Sequence, residues 1–171
     1  MRCAQCKQEH ASDPAFLHPT AVVLLPEHAR ALRVKESDDL CVIRPWMNER
    51  EQRYFVRGVM FVAVDTVPTG TRWGLWAEVD AKVFETYVRN ARSPDQAKLP
   101  PLPGTLANNI LGYPEAVGLP ITLQMTSVRG RPAFSFPPSV DHPFAAEVRA
   151  GVTTLRLHEW LTNSLGVIGR M

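Results

Sequence analysis

Arg53-Tyr54-Phe55-Val56-Arg57-Gly58-Val59-Met60-Phe61-Val62-Ala63-Val64 and, a few residues on, Arg72-Trp73-Gly74-Leu75-Trp76-Ala77-Glu78-Val79 are the runs whose reading decides the fold. Successive side chains of a strand alternate between its two faces. In the first run Tyr54, Val56, Met60, Val62 and Val64 share a face with Gly58, while Phe55, Val59, Phe61 and Ala63 share the other with Arg57. Apolar residues on both faces predict a central strand covered twice. In the second run Trp73, Leu75, Ala77 and Val79 point one way, and Gly74, Trp76 and Glu78 the other. The connection 65–71, with Pro68 and Gly70, predicts a hairpin.

Upstream, residues 39–44 predict a short strand around Leu40-Cys41-Val42-Ile43, and 26–32 a short helix with Pro26 in its first turn and Glu27 at the positive dipole end. Downstream, Asp80 predicts the cap of a helix reaching about Arg92, with Val83, Phe84, Tyr87, Val88 and Ala91 as its core-facing stripe. Pro100, Pro101 and Pro103 read as a stiff connector. A short helix over 106–111 is expected to close at Gly112, before the turn pair Tyr113-Pro114. A strand over 119–128 turns at Gly130, whose flanking Arg129 and Arg131 read as a solvated tip, and returns over 132–136. Asp141 or His142 opens a helix with Pro143 in its first turn, and Gly151 ends it. A last helix starts at Thr153 or Thr154 and runs through Leu165, with Leu157, Trp160, Leu161 and Leu165 on its apolar side. Hairpins outnumber helical crossovers. The expected architecture is therefore α+β, a mainly antiparallel sheet with helices packed on it, preceded by an N-terminal Cys/His loop. The expected organisation is a single domain over 1–171, with a metal-ligand candidate loop at 1–20 and an α+β body at 21–171.

A chain of 171 residues with 45% hydrophobic and 21% charged residues has the composition of a folded domain with a sizeable core. A net charge of +2 with scattered arginines argues against nucleic acid as a partner. No run approaches the ~18 apolar residues of a membrane span. Residues 1–20 carry Arg2, Lys7, Glu9 and Asp13 with no apolar stretch, so no secretory signal is read there. The three cysteines point to a reducing, cytoplasmic setting.

Cys3, Cys6 and His10 carry the one chemistry that spacing names. A Cys-x-x-Cys turn brings two thiolates to one ion, His10 adds an imidazole, and zinc favours four such ligands. Cys41, His18 and His142 are the candidate fourth ligands. Lys7 follows the second cysteine at a position that often needs φ > 0, where a lysine costs roughly 1 kcal/mol or more. Structural zinc contributes on the order of 10 kcal/mol, so Lys7 does not exclude it. The competing readings are an empty, reduced pair on a frayed end, and a thioredoxin-like redox pair. The redox reading lacks the preceding strand it needs.

The other candidates read more plainly. Cys41, between Leu40 and Val42, reads first as a small buried hydrophobe and only second as a nucleophile. Arg57 and Glu78 lie on strands expected to be adjacent and read as a cross-strand ion pair ahead of an anion site. Trp76 reads as core, or as the wall of a ligand groove with Arg57 and Glu78, because Gly74 beside it leaves space. His142 reads as a helix cap ahead of a metal ligand, and His158, next to Glu159, as a surface residue. No phosphate loop, dinucleotide fingerprint, zinc-protease helix or nucleophile elbow occurs in the sequence, and no catalytic residue or organic cofactor is assigned.

Cys3-x-x-Cys6 with His10, Asp39-Leu40-Cys41-Val42-Ile43, Phe55-Val56-Arg57-Gly58, Trp73-Gly74-Leu75-Trp76, Phe84-x-x-Tyr87, Leu111-Gly112-Tyr113-Pro114, Arg131-Pro132 and His142-Pro143-Phe144-Ala145-Ala146-Glu147 through Gly151 follow one another in an order that resembles a bacterial family of uncharacterised proteins, the domain of unknown function 2199. The likeness spans nearly the whole chain. Its departure is Lys7, where the family usually has glycine. The resemblance implies no activity. The expected function is a cytoplasmic binding or interaction domain with a structural zinc knuckle, its partner a protein or a small molecule. The alternative is a metal-dependent hydrolase in which the ion activates water, with Glu9 or Glu78 as proton acceptor.

Overall fold

A computed structural model describes residues 31–45, 52–110, 112–113, 115–127 and 130–168. Among them seven strands and three α-helices follow in the order β1 (Ala31–Glu36), β2 (Leu40–Pro45), β3 (Arg53–Val64), β4 (Val67–Val79), α1 (Ala81–Asn90), β5 (Leu102–Leu106), β6 (Pro120–Gln124), β7 (Ala133–Ser135), α2 (Pro143–Ala150) and α3 (Thr154–Ile168). The fold is α+β as expected, but the sheet is closed. Neighbouring strands pair antiparallel from β3 to β7, and β7 then pairs parallel with β3, giving a five-stranded barrel. The hairpin β1–β2 lies outside the ring. One edge of β3 runs along β4. Its other edge is shared, with β2 bonded at Arg53–Val56 and β7 at Val59 and Met60.

Closure explains the alternation. Val56, Met60, Val62 and Val64 of β3 meet Trp73, Leu75, Ala77 and Val79 of β4, with Leu106, Ile121, Leu123 and Phe134, in one buried core. Gly58 is required there, because a Cβ on it would sit 2.2 Å from Cε1 of Phe134. The outer face of β3 is not covered along its length, contrary to the two-sided cover read from sequence. Phe55 is buried, but Phe61 is 54% exposed and Ala63 is exposed. Beyond Gly58 the buried side is the inner one alone: Met60, Val62 and Val64 are buried, while Phe61 and Ala63 are not.

The β3–β4 turn is two residues, Asp65 and Thr66, not the predicted seven. Pro68 and Gly70 fall within β4. The register passes from Val62↔Thr71 to Val64↔Val67, so Pro68, Thr69 and Gly70 bulge opposite Ala63. Gly70 has φ +60, and a Cβ there would lie 2.5 Å from the Val62 carbonyl oxygen. The turn also fixes α3. The Asp65 carboxylate accepts from the Thr154 N–H (2.9 Å) and hydroxyl (2.8 Å), which holds its pKa below the ordinary carboxylate range.

Asp80 caps α1 by accepting from the Val83 N–H at 2.7 Å, and Val83, Phe84 and Tyr87 are buried as expected, but Val88, read into the same stripe, is exposed. His142 caps α2 through Nδ1, with Pro143 in the first turn and Gly151 (φ 80) at the end. Thr153 accepts from the Arg156 N–H at the start of α3. Helix α1 packs at the Tyr54 end of the barrel, where Tyr54 and Phe84 rings are 5.2 Å apart. Helices α2 and α3 pack at the Trp73 end, with Phe144 and Trp160 rings 5.7 and 5.3 Å from Trp73.

Three further expectations are corrected. Ala31 and Leu32, placed at the end of a helix over 26–32, are strand residues paired with Pro45 and Arg44; residues 26–30 lie outside the described residues. The proline connector contains β5, whose Pro103 faces Thr122. No helix forms from Leu106 to Ile110: Leu106 ends β5, the Ala107 N–H donates to Trp76 O, and the buried Asn108 side chain accepts from the Trp76 N–H. These bonds continue the sheet where a helix would have had to bond to itself.

Candidate functional site

The outward face of β3 reads Arg57, Val59, Phe61. Register places Trp76, Gly74 and Arg72 beside them on β4. On the other side Val59 faces Ala133 of β7, the Val59 N–H donates to Pro132 O, and Arg131, just before β7, comes near enough to Arg57 for their charges to interact. The three strands thus present a transverse trough. Its floor is Val59 and Ala133. Arg131 and Asp39 stand on one side, with Arg57 next to them, and Arg72 and Phe61 on the other. A cavity of about 620 Å³ lies here, lined by Asp39, Val59, Phe61, Arg72, Thr126, Arg131 and Ala133.

Charge in the trough is unbalanced. Arg131 Nε donates to Asp39 Oδ1 at 2.6 Å, with both side chains roughly two-fifths exposed. Arg57 makes one long contact, from Nη1 to the Asp38 carbonyl at 3.5 Å, and its buried Nε has no partner among the described residues. Burial and then the nearby Arg131 lower the Arg57 pKa, while Asp39 and Asp38 oppose them. A guanidinium carries five donors in a fixed fork. Arg57 and Arg131 therefore hold more donor capacity than their neighbours use.

Of the groove residues read from sequence, Arg57 and Trp76 are indeed register partners. Trp76 is 2% exposed, packed with Cys41, Ile43, Phe55 and Ala107 in a second small core on the outer wall. It backs the trough without lining it, and its Nε1 has no partner among the described residues. Glu78 is not paired with Arg57. It accepts two 2.6 Å bonds from Arg53, whose guanidinium also lies 5.5 Å from the Phe55 ring centroid. The register explains the exchange: Glu78 faces Phe55, so it lies closer to the start of β3 than Arg57 does.

A second polar cluster gathers where the 107–118 loop meets α2 and α3. The Tyr113 hydroxyl donates to Glu147 and accepts from Arg156 Nη2 at 2.8 Å and Trp160 Nε1 at 3.0 Å. Arg156 also donates to Glu147 at 3.1 Å and to Glu159 at 2.7 Å. Burial first, then the Glu147 bond, raises the Tyr113 pKa. A phenol has one proton to give and two lone pairs. All three are used, so this hydroxyl has nothing left for a ligand, and the cluster clamps α3 to α2.

Cys3, Cys6, His10 and His18, with Glu9, lie outside the described residues. The two further ligand candidates are described. Cys41 is 1% exposed in the second core, and His142 Nδ1 accepts the Phe144 N–H at 3.2 Å. Among the described residues no three His, Cys, Asp or Glu side chains gather as a metal site. No helix among them is long and apolar enough to cross a membrane. Sequence reading missed Asp39, Phe61, Arg72, Arg131 and Ala133 as a group. The available signal was the alternation of β3 and β4, which puts Arg57, Phe61 and Arg72 on one face. Arg131 joins them only through the parallel β3–β7 pairing.

No curated protein and no solved structure matches the chain. A family model described as an uncharacterised protein conserved in bacteria matches residues 2–152, a span that contains every trough residue and ends just before α3. The chain belongs to this bacterial family, DUF2199.

Proposed function

We propose that the protein is a binding domain whose ligand is a small molecule seated in the trough across β4, β3 and β7. The observation that carries this is the trough itself: a row of small residues between arginine walls, with Phe61 left 54% exposed on its rim. Its volume of about 620 Å³ falls in the range of roughly 300–1,000 Å³ occupied by small-molecule sites. Amide shifts on titrating the labelled protein with a mixed set of small organic fragments test the reading. They are expected to cluster at Val59, Phe61, Arg72 and Ala133. Shifts confined elsewhere, or none, would contradict it.

A structural zinc ion on Cys3, Cys6 and His10 is part of the same proposal, supported by ligand type and spacing. Metal analysis of the purified chain is expected to find about one zinc per chain, lost with a lowered melting temperature in Cys6→Ser. Metal content near zero in both would remove the knuckle and leave the trough untouched.

A further inference from the structure

We infer that the trough selects an oxyanion, a carboxylate or a phosphate, carried on a flat apolar body. The inference rests on the trough being the ligand site and goes on to name what it takes. Arg131 and Arg72 line the trough together with one carboxylate, Asp39, and Arg57 lies near enough to Arg131 and Asp39 for their charges to interact. Arg131 spends Nε on Asp39, and Arg57 has a single long contact to a carbonyl. The two stand side by side across the β3–β7 seam, so their charges repel. An anion held by the outer forks of Arg131 and Arg57 relieves that repulsion and takes the donors that the Asp39 carboxylate and the Asp38 carbonyl leave unused. Guanidinium forks suit carboxylate and phosphate oxygens in pairs. The apolar half of the ligand is specified by the floor and rim. Val59 and Ala133 offer no hydrogen-bonding side chain, and the Phe61 ring, 54% exposed, is available for stacking.

Four probes separate the parts of this statement: phenyl phosphate, benzoate, phenol and inorganic phosphate, each titrated into the full chain and followed by amide shifts and calorimetry. Phenyl phosphate or benzoate is expected to bind at the trough, and whichever binds tighter identifies the anion. Phenol and inorganic phosphate, each carrying half of the recognised chemistry, are expected to bind about tenfold more weakly or worse. Arg57→Gln and, independently, Arg131→Gln are expected to weaken the aryl anion about tenfold, so that misfolding of one variant does not decide the result. Phenol binding at the trough as tightly as phenyl phosphate would overturn the anion inference while leaving the trough as a binding surface. Failure of all four probes to shift the trough amides would overturn both.

Discussion

The corner around Tyr113 and the trough around Arg57 are both polar, arginine-bearing and built against aromatic rings, yet they differ in saturation. At the corner the Tyr113 hydroxyl, the Glu147 carboxylate and the Arg156 guanidinium satisfy one another, with Trp160 closing the set. In the trough Arg131 has one carboxylate and Arg57 a 3.5 Å contact to a carbonyl. A satisfied network adds rigidity and specifies packing; an unsatisfied one retains affinity for something else. The contrast assigns stability to the first region and binding to the second, and each variant below should move one and not the other.

Alkaline pH should act most strongly, through the buried phenols. The Tyr87 pKa is pushed up to about 12, chiefly by burial, and that of Tyr113 is also raised. A raised folded-state value means that the unfolded chain ionises first. The stabilising contribution is whole below about pH 10, the unfolded tyrosine value, and is lost as pH rises toward the folded one. For Tyr87 that loss is of the order of 2 kcal/mol by pH 12. Urea melts at stepped pH should show stability flat up to about pH 10 and falling beyond it. A flat profile to pH 12 would remove burial of these phenols as a stabilising feature.

Tyr113→Phe should come next. It leaves the buried Trp160 Nε1 without its acceptor and separates Arg156 from the ring hydroxyl, at a cost of about 1–3 kcal/mol. For a chain of this size each kcal/mol corresponds to roughly 2–4 °C in melting temperature, which calorimetry reads directly. Phe61→Ser should have the smallest effect on stability, within about 0.5 kcal/mol, because half of that ring already faces water. A melting temperature lowered as far as in Tyr113→Phe would show the trough to be part of the core.

How far the molecule was legible in its sequence follows from the range of the interactions. Asp80, His142, Pro143 and Gly151 announce helix ends through bonds made within a few residues, and each acts as read. The alternation along β3 and β4 gave the correct inner face because the ladder from Tyr54↔Val79 to Val62↔Thr71 runs in one unbroken register. β5 was hidden because its strand identity comes from pairing with Thr122 and its neighbours, and Pro103 argues locally against it. The barrel was hidden because parallel pairing of Val59 and Met60 with Ala133 and Phe134 joins segments far apart in the chain. That same pairing carries Arg131 to Arg57, so half of the trough could not be seen before closure was known. Phe61 was misread for the complementary reason. A strand apolar on both faces looks covered on both, and only the closed ring shows which side holds the core.

The most direct test is the affinity of phenyl phosphate for Arg57→Gln and Tyr113→Phe, measured side by side against the unaltered protein. The account predicts about a tenfold loss in Arg57→Gln with the melting temperature kept, and unchanged affinity in Tyr113→Phe despite its lowered melting temperature. Equal affinity in Arg57→Gln and the unaltered protein, or a loss confined to Tyr113→Phe, would contradict it.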